Sequence, residues 1–571
     1  MPYHAPTRDF RFLFEHVIDY AQVTGTDRFA EATPDVTDAI LTEAGRLCEE
    51  VLAPLQRAGD EHPARLENGV VRTSPGFAGA YRAIADGGWV STSADPANGG
   101  MGLPHTLTTA VNDMMSGACL SIQLNPLMTQ GQIEALERHA PEEIKALYLP
   151  KLISGEWCGT MNLTEPQAGS DVGALRSRAV PNGDGTYAVT GQKIYISWGD
   201  NDFTENVCHL VLARLPDAPA GTKGISLFLV PKRLPDAEGR PGAANDLRVV
   251  SLEHKMGLHG SPTCVMQYDG ATGWLIGEEN GGMAAMFTMM NNARLGVGVQ
   301  GIGVAEAAFQ HALAYACDRK QGRSPVPDGD GSIVDHADVR RMLGTMRAET
   351  FAARAIALAN AAAIDMSHAT GGADWAARAA LLTPITKAHG TDIGIEVASM
   401  GVQVHGGMGY IEETGAAQYL RDVRVTAIYE GTNGIQAMDL VGRKMADGGE
   451  AAFRMIEEIQ TSAERARAGL PQLADEVWTA AETLREATEW LVGQEPNDRF
   501  AGAIAYLRAF ARVLGGHYHL RAAHAEGAAG PRGALATLFI RRILPEHAAL
   551  LSAARSGSAD LYALSAETLA A

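Results

Sequence analysis

One carboxylate near residue 430 stands where a sequence could place a catalytic base. The stretch VTAIYEGTNGIQAMDL, residues 425–440, sets Glu430 between an apolar run and a small polar turn. Thr432 or Asn433 is a suitable N-cap for a helix that begins there, and the free N–H groups of a helix start attract negative charge. In isolation the pattern leaves two interpretations open, because Glu430 could be a surface acid beside a helix cap or a base directed into a pocket.

A second stretch, TMNLTEPQAGSDVG at residues 160–173, concentrates small polar side chains and backbone-permissive residues. It contains Thr164, Ser170 and Asp171 together with Pro166. Small hydroxyls and free backbone N–H groups suit the edge of a flavin ring or a pyrophosphate. A well-capped polar loop at the start of a β domain explains the same residues, and composition alone favours that explanation.

Two further stretches combine rings or glycines with polar groups. In GQKIYISWGD, residues 191–200, Tyr195 and Ser197 share one face of a strand, which suits a flat cofactor as well as an aromatic core. In QVHGGMGY, Gly406 and Gly407 follow a helix and permit close approach of a phosphate or adenine. A helix C-cap followed by a turn explains these glycines equally well.

Length, composition and cysteine spacing exclude several classes of protein. The chain has 571 residues, 46% of them hydrophobic and 20% charged, which is typical of a globular protein with about three or four domains. Its net charge of −20 argues against binding to nucleic acid or anionic lipid. The six cysteines are scattered and His405 has no partner at metal-ligand spacing, so we predict no metal and a reducing, cytoplasmic location. Neither a signal peptide nor a membrane-spanning run of about 18 apolar residues is predicted.

The spacing of apolar residues along the sequence predicts helices first, then β-strands, and then helices again. Helical spacing of apolar residues gives way to short alternating runs separated by Asn-Gly and Asp-Gly pairs, and Ala- and Met-rich helical segments follow. The pattern predicts an α+β multi-domain chain. Its parts are an N-terminal helical domain at 1–157, a middle β domain at 158–282, a C-terminal helical domain at 283–446 and an additional helical extension at 447–571.

The four stretches described above point to one protein family more specifically together than any one of them does alone. TEPQAGSD, GQKIYIS, QVHGGMGY and YEGTNGIQ, in this order around a β domain, resemble the acyl-CoA dehydrogenase family of flavoproteins over roughly residues 80–445. DRKQGR at 318–323 and LRDVR at 420–424 add to the match. The resemblance implies an N-terminal helical domain, a middle β-barrel-like domain and a four-helix domain, with FAD between the last two.

The resemblance also implies a role for Glu430. It would be the base that removes the α-proton of an acyl-CoA thioester on the way to a trans-2-enoyl-CoA, and its backbone N–H would bond the thioester oxygen. Candidate substrate contacts are Ser170, Arg294 and Gly431, although Arg294 could equally be structural. Some relatives carry the base just before this arginine, but Ala293 cannot take a proton, so Glu430 stands alone.

The FAD contacts that the resemblance implies fall into two groups. Candidates for the FAD of the same subunit are Leu163, Thr164, Ser170, Tyr195, Ser197 and Thr432. Candidates for the FAD of a neighbouring subunit are Arg319, Gln321, Gln403, Gly406 and Gly407. The chain departs from the family at Tyr195, where Trp is frequent, and after Arg319, where R-K-Q-G lacks the usual Phe.

The long extension resembles a large-subunit branch of the family. That branch includes enzymes for 3-methylmercaptopropionyl-CoA and for straight-chain acyl-CoAs, and the branch resemblance favours the former. It also implies electron-transfer flavoprotein as the electron acceptor and a homodimer, because such an extension often takes the place of a second dimer. The alternatives are an acyl-CoA oxidase, a nitroalkane-oxidising relative and a DNA-associated flavoprotein without enzymatic activity.

An apolar face within the extension has two interpretations. It could touch a membrane, or it could pack against the helices of the extension itself, which is the expected role. Its members are Leu535, Leu538, Phe539, Ile543 and Leu544.

Overall fold

The computed structural model describes residues 3–571. Its N-terminal part is mainly helical. Its elements are α1 (Thr7–His16), α2 (Tyr20–Thr24), α3 (Pro34–Leu47), α4 (Gln56–Glu61), the short strands β1 (Arg65–Glu67) and β2 (Val70–Arg72), α5 (Phe77–Asp86), α6 (His105–His139) and α7 (Glu142–Ile153). This confirms the predicted N-terminal helical region.

Helix α6 is the centre of this N-terminal part. Most of its side chains are buried, including polar ones such as Asp113 and Gln123, so its sequence lacks a one-sided apolar stripe. Its path bends at Cys119, where φ is −157° and ψ is 94°, and it accommodates Pro126 further along. The sequence predicted several helices here, and the structure agrees, because the non-helical backbone at Cys119 divides α6 into two helical segments.

A mixed sheet forms the middle of the chain. Its strands and an accompanying hairpin are β3 (Trp157–Asn162), β4 (Arg178–Pro181), β5 (Tyr187–Ser197), β6 (Asn206–Ala213), β7 (Ser226–Pro231), β8 (Arg233–Pro235), β9 (Pro241–Ala244), β10 (Leu247–Leu252) and β11 (Thr263–Ile276). The strand order is β3-β6-β7-β11-β5-β4 with β10 on β11, while β8 pairs with β9. Strand β11 joins the two halves of the sheet, because it pairs first with β5 and β10 and then with β7.

Long helices follow the sheet and pack closely on one another. They are α8 (Gly282–Asp318), α9 (Ala337–Thr370) and α10 (Ala373–His405), followed by the shorter α11 (Ala416–Val423) and α12 (Asn433–Val441). A Cβ atom on Gly301 of α8 would lie 2.3 Å from the carbonyl oxygen of Gly390 on α10. Glycine therefore permits a close approach of these two helices, which any larger residue would prevent.

The C-terminal extension is helical, as predicted. It contains α13 (Glu450–Ala466), α14 (Pro471–Val492), α15 (Pro496–Ala501), α16 (Ala503–Glu526), α17 (Pro531–Arg542), α18 (Glu546–Ala554), α19 (Ala559–Tyr562) and α20 (Ala566–Ala570). Its apolar face packs inside the protein, since Phe539, Ile543 and Leu544 are buried and Leu535 and Leu538 pack against the same core. Across residues 3–571, no helix combines the length and the apolar character needed to cross a bilayer.

A buried arginine joins the helical parts of the chain. Arg354 of α9 is 1% exposed and donates to both carboxylate oxygens of Asp113 on α6, at 2.8 and 3.0 Å. It also donates to Glu306 of α8 at 2.9 Å, and Asp9 of α1 lies 3.6 Å away. One guanidinium therefore faces carboxylates from three other helices.

The extension is attached to the core through further buried ion pairs. Arg532 of α17 binds Asp9 at 2.5 Å, and Arg347 of α9 binds the other oxygen of the same carboxylate. Arg512 of α16 is 2% exposed and binds Glu349 of α9 at 2.5 and 2.6 Å. These pairs fix the extension against α1 and α9.

We expect Arg354→Met to destabilise the protein by about 3–5 kcal/mol, because it leaves buried carboxylates without their shared cation. The free energy of unfolding in denaturant would measure this. The matched control is Arg341→Met, because the Arg341 side chain is 53% exposed in its pair with Asp338, and its loss should cost less than about 1 kcal/mol. Equal effects of the two substitutions would contradict the proposed importance of the buried cluster.

Candidate functional site

Glu430 lies in the loop before α12 in an unusual backbone conformation. Its φ is +55°, and that of Gly431 is +84°. A left-handed conformation is uncommon for a residue other than glycine and costs free energy. Gln436 of α12 holds the loop in place, because its side-chain amide donates to the carbonyl oxygens of Glu430 at 3.1 Å and Gly431 at 3.4 Å.

Thr432 caps helix α12, as the sequence predicted. Its hydroxyl oxygen accepts a hydrogen bond from the N–H of Ile435 at 3.3 Å. The helix therefore begins immediately after the loop, so the position of the Glu430 backbone depends on both the cap and the Gln436 amide.

The surroundings of Glu430 limit its contact with water and carry positive charge. The residue is half-buried, and burial raises the pKa of its carboxyl to about 7, while the charges of Arg294 and Lys387 act in the opposite direction. Arg294 belongs to α8 and Lys387 to α10. The two long helices thus supply the charges that keep the pKa of Glu430 near neutrality instead of higher.

Arg294 is buried beside the candidate base, which agrees with both roles that the sequence left open. The residue is 5% exposed, and its Nη1 lies 3.6 Å from Oδ2 of Asp439 on α12. Its Nε–H has no hydrogen-bond partner among residues 3–571. Arg294 therefore has one donor free for a further group at the site.

Tyr429 links the loop to the long helices. Its hydroxyl donates to the side-chain oxygen of Gln300 on α8, and the amide nitrogen of Gln300 donates to Gln123 on α6 at 2.9 Å. Gln300 and Gln123 are fully buried. The residue before Glu430 is thus connected to two separate parts of the fold.

The TEPQAGSD loop is held by a buried acid that the sequence analysis did not single out. Glu165 is 4% exposed and accepts from Lys193 at 2.8 Å, from the Arg176 N–H at 2.7 Å and from the Ser177 hydroxyl at 2.6 Å. Although burial alone would raise the pKa of Glu165, the Lys193 charge and these hydrogen bonds lower it to about 2. This ionised anchor fixes the start of the loop.

The same loop is joined to the strand that carries the predicted ring. The carbonyl oxygen of Leu163 accepts from Lys193 at 3.0 Å, and that of Thr164 accepts from the Ile194 N–H at 3.0 Å. Leu163 and Thr164 are half-buried, whereas Ser170 is exposed. The structure therefore places Leu163 and Thr164 beside β5, with polar groups accessible from outside.

Tyr195 presents an open aromatic surface on β5. The residue is 61% exposed and has a φ of +61°, at a bulge where the pairing of β5 with β11 shifts. Ile196 is buried and Ser197 is half-buried, which agrees with the alternation expected of a strand. An exposed ring beside accessible backbone and hydroxyl groups is a surface that a flat cofactor fits.

The second group of predicted cofactor residues lies far from Glu430 within one chain. At about 1.5 Å per residue, α8 carries Arg319 about 37 Å from Arg294, and α10 carries Gln403 about 24 Å from Lys387. Arg319, Gln321, Gln403, Gly406 and Gly407 are all exposed. No atom lies within 4 Å of a Cβ built on Gly406 or Gly407 among residues 3–571. One chain does not bring this group to its own Glu430.

Several residues of the site were missed because each acts through a partner distant in sequence. The examples are Glu165 with Lys193, Lys387 with Asn433, and Gln436 behind the loop. The presence of a charged residue at an inward strand position, as at Lys193, is the one local signal that could have indicated a buried ion pair.

Comparisons with known proteins cover nearly the whole chain. Residues 35–156, 160–271 and 280–445 match the models described as acyl-CoA dehydrogenase N-terminal, middle and C-terminal domains. Residues 455–565 match the model described as acetyl-CoA dehydrogenase C-terminal like.

Individual relatives are similar over most of their length. The 3-methylmercaptopropionyl-CoA dehydrogenase of Ruegeria pomeroyi is 47% identical over 89% of this chain and 88% of that protein. A butyryl-CoA dehydrogenase of Syntrophomonas wolfei is 35% identical over 79% of this chain and 77% of that protein. The solved Caenorhabditis elegans ACDH-11 in complex with C11-CoA has a TM-score of 0.80 at 21% identity, covering 95% of this chain and 91% of that one, and shows the likeness of fold.

We expect Glu430→Gln to stabilise the protein above pH 7 and to leave its stability unchanged near pH 4. The native state raises the pKa of this carboxyl from 4.5 to about 7, so the native state binds the proton more tightly, and the folded protein loses stability as pH rises through that interval. The shift corresponds to about 3 kcal/mol, which solvent screening of this half-buried carboxyl reduces to about 2 kcal/mol at pH 8, and the amide avoids that cost. Thermal unfolding of both proteins at pH 4, 6 and 8 would measure the difference. A constant difference at all three values would contradict the raised pKa.

Proposed function

Because the chain belongs to the acyl-CoA dehydrogenase family, we propose that Glu430 is the base that removes the α-proton of its acyl-CoA substrate. Members of this family are FAD-dependent oxidoreductases that act on acyl-CoA thioesters, and this chain is one of them. The assignment of Glu430 is carried by its place in the strained loop that Gln436 holds before α12, where burial raises the pKa of its carboxyl to about 7.

The pKa of Glu430 suits the reaction that we propose for it. A proton beside a thioester is weakly acidic, so a carboxylate of ordinary pKa is a poor base for it, and a general base works best when its pKa lies near the working pH. Burial of Glu430 provides this match. Closure of the pocket around a bound substrate would strengthen the effect.

The backbone of the same residue is available for the substrate oxygen. The N–H of Glu430 makes no hydrogen bond with any group of residues 3–571. In our proposal it donates to the thioester oxygen while the carboxylate takes the α-proton, so that negative charge developing on that oxygen is stabilised as it forms. Arg294, with its free Nε–H, and Gly431 and Ser170 are the further residues that we propose to contact the substrate.

The surface around Tyr195 fits the cofactor of the family. We propose that Leu163, Thr164, Ser170, Tyr195, Ser197 and Thr432 hold it, with the exposed Tyr195 ring against a flat group and the hydroxyls at its polar edges. When bound, FAD accepts the β-hydrogen with its electron pair. The chain's own residues orient the substrate and hold the proton on Glu430.

For the acyl group we propose 3-methylmercaptopropionyl-CoA. The similarity to the Ruegeria pomeroyi enzyme of that name supports it, at 47% identity. A short straight-chain acyl-CoA is the second candidate, supported by the butyryl-CoA dehydrogenase at 35% identity. The methionine-rich start of α8 does not decide between them, since Met286 and Met289 are buried in the core. Electron-transfer flavoprotein as acceptor and a cytoplasmic location remain predictions from the sequence.

The distant group of cofactor residues supports a homodimer. Around Arg319 and Gly406, the ends of α8 and α10 expose large apolar side chains that a soluble surface rarely gathers. They are Leu313 of α8 and, in the segment directly after α10, Met408, Tyr410 and Ile411. We propose that a second copy covers this patch, and that Arg319, Gln321, Gln403, Gly406 and Gly407 of each copy reach the FAD of the other.

We expect the purified protein to carry FAD and to lose its flavin absorbance anaerobically on mixing with its substrate. Among 3-methylmercaptopropionyl-, butyryl- and palmitoyl-CoA, the first should reduce the flavin fastest. Loss of a positioned base in Glu430→Gln should slow the reduction by about 10³-fold or more. Glu43→Gln, at an exposed acid of α3 paired with Arg46, is the control and should keep the rate. Flavin that none of the three thioesters reduces would contradict the proposed function and favour a DNA-associated role.

We expect Tyr410→Asp combined with Ile411→Asp to shift the protein from dimer to monomer and to weaken FAD retention, because charge is placed in the apolar patch. Sedimentation equilibrium and the ratio of flavin to protein absorbance would measure both effects. Tyr562→Asp is the control, because Tyr562 is 73% exposed but lies in the C-terminal tail. A mass of four subunits for the unmodified protein would exclude the dimer.

A further inference from the structure

A buried lysine lies behind the loop that carries Glu430. Lys387 of α10 has no exposed surface, and its Nζ donates to Oδ1 of Asn433 at 2.9 Å. Asn433 is the first residue of α12 and lies three positions after Glu430. Burial lowers the pKa of Lys387 to about 8, so its charge is costly to keep there. The fold therefore keeps a costly positive charge directly behind the loop that carries Glu430.

Asn433 holds the lysine in a fixed position. Its Nδ2 donates to Oδ1 of Asp392 at 2.7 Å and to the hydroxyl of Thr391 at 3.0 Å, both on α10. The amide is therefore oriented with its oxygen toward Lys387. Asp392 contributes negative charge near Lys387 without an ion-pair contact, since Asn433 stands between them.

The two positive charges that face Glu430 come from α8 and α10, and their surroundings differ. Arg294 of α8 is partly neutralised by Asp439 of α12, which also binds Arg443 at 2.6 Å. Lys387 has no carboxylate within 4 Å among residues 3–571, and its contact is with a neutral amide. Arg294 has the larger effect on the pKa of Glu430, but the charge of Lys387 is the one that no carboxylate partner directly neutralises.

On the premise that Glu430 is the base, we propose that Lys387 is a positioning residue that keeps Glu430 ionised at neutral pH, and that Asn433 holds it for this purpose. Before the reaction, the lysine charge favours the carboxylate over the carboxylic acid. After Glu430 has taken the α-proton, the same charge favours release of that proton to solvent, which restores the base. Asn433 keeps the ammonium close enough to act through space while preventing a direct ion pair that would make the carboxylate too weak a base.

Lys387→Met tests the proposal because it removes the charge and keeps an unbranched side chain of similar length. The measurement is the pH dependence of anaerobic flavin reduction in a single turnover. If the substitution raises the apparent pKa of the base by one unit, the rate at pH 7 falls about fivefold. The two proteins should converge above pH 9, where Lys387 has lost its charge as well.

The matched control is Lys444→Met, at a half-buried lysine of the same region. Burial lowers the pKa of Lys444, and its charged neighbours are Asp439, Arg443 and Arg294. The pH profile of this variant should keep the midpoint of the unmodified protein. If Lys387→Met lowers the rate equally at every pH, or leaves the profile unchanged, the proposal is overturned. If Glu430→Gln itself keeps full activity, the failure lies in the assignment of the base.

A second measurement does not depend on turnover. Infrared difference spectra between each protein and its Glu430→Gln counterpart report the protonated carboxyl of Glu430 directly, and its midpoint should rise in Lys387→Met. If that variant fails to fold, Lys387→Gln provides the test, since it removes the same positive charge, keeps a polar group that can bond Asn433, and should raise the pKa of Glu430 in the same direction. An unmoved midpoint in a folded variant would refute the proposal.

Discussion

The arrangement of the whole chain depends on the burial of one arginine among acids from several helices. Arg354 bonds Asp113 and Glu306, so α6, α8 and α9 meet at a point where every polar group needs its partner. Ion pairs of this kind add little net stability over apolar packing, but they penalise any arrangement that separates the partners. The cluster therefore selects one relative placement of helices whose Ala-rich surfaces would otherwise pack in several ways.

That placement is what makes a reactive carboxylate possible. Helices α8 and α10 approach closely through glycine, and each delivers one cation toward the loop in which Glu430 lies. The loop has a conformation that costs free energy, and Gln436 and Thr432 on α12 maintain it. A dry pocket and nearby positive charge act on the carboxyl in opposite directions, and their balance gives a group that titrates near neutrality.

The sequence predicted those structural features that depend on residues close to one another along the chain. The cap at Thr432, the alternation around Tyr195 and the order of helical and β regions follow from neighbouring residues, and the family resemblance pointed to Glu430. The partners of Glu165 and Lys387 were not predictable, because Lys193 and Asn433 become neighbours only after the fold brings their elements together. The residues at the far ends of α8 and α10 need a second chain to acquire their proposed role.

The bond between Asp9 and Arg532 also has a consequence for biosynthesis. The two residues are 523 positions apart, and at about 5–20 residues per second the ribosome delivers the arginine roughly half a minute to two minutes after the aspartate. Once α9 has been made, and until α17 follows, α1 can dock on the core through Arg347 and Arg354 only. The last helices to emerge thus complete the attachment of the first, so a nascent chain released early would keep an incompletely tethered N-terminus that quality-control proteases can recognise.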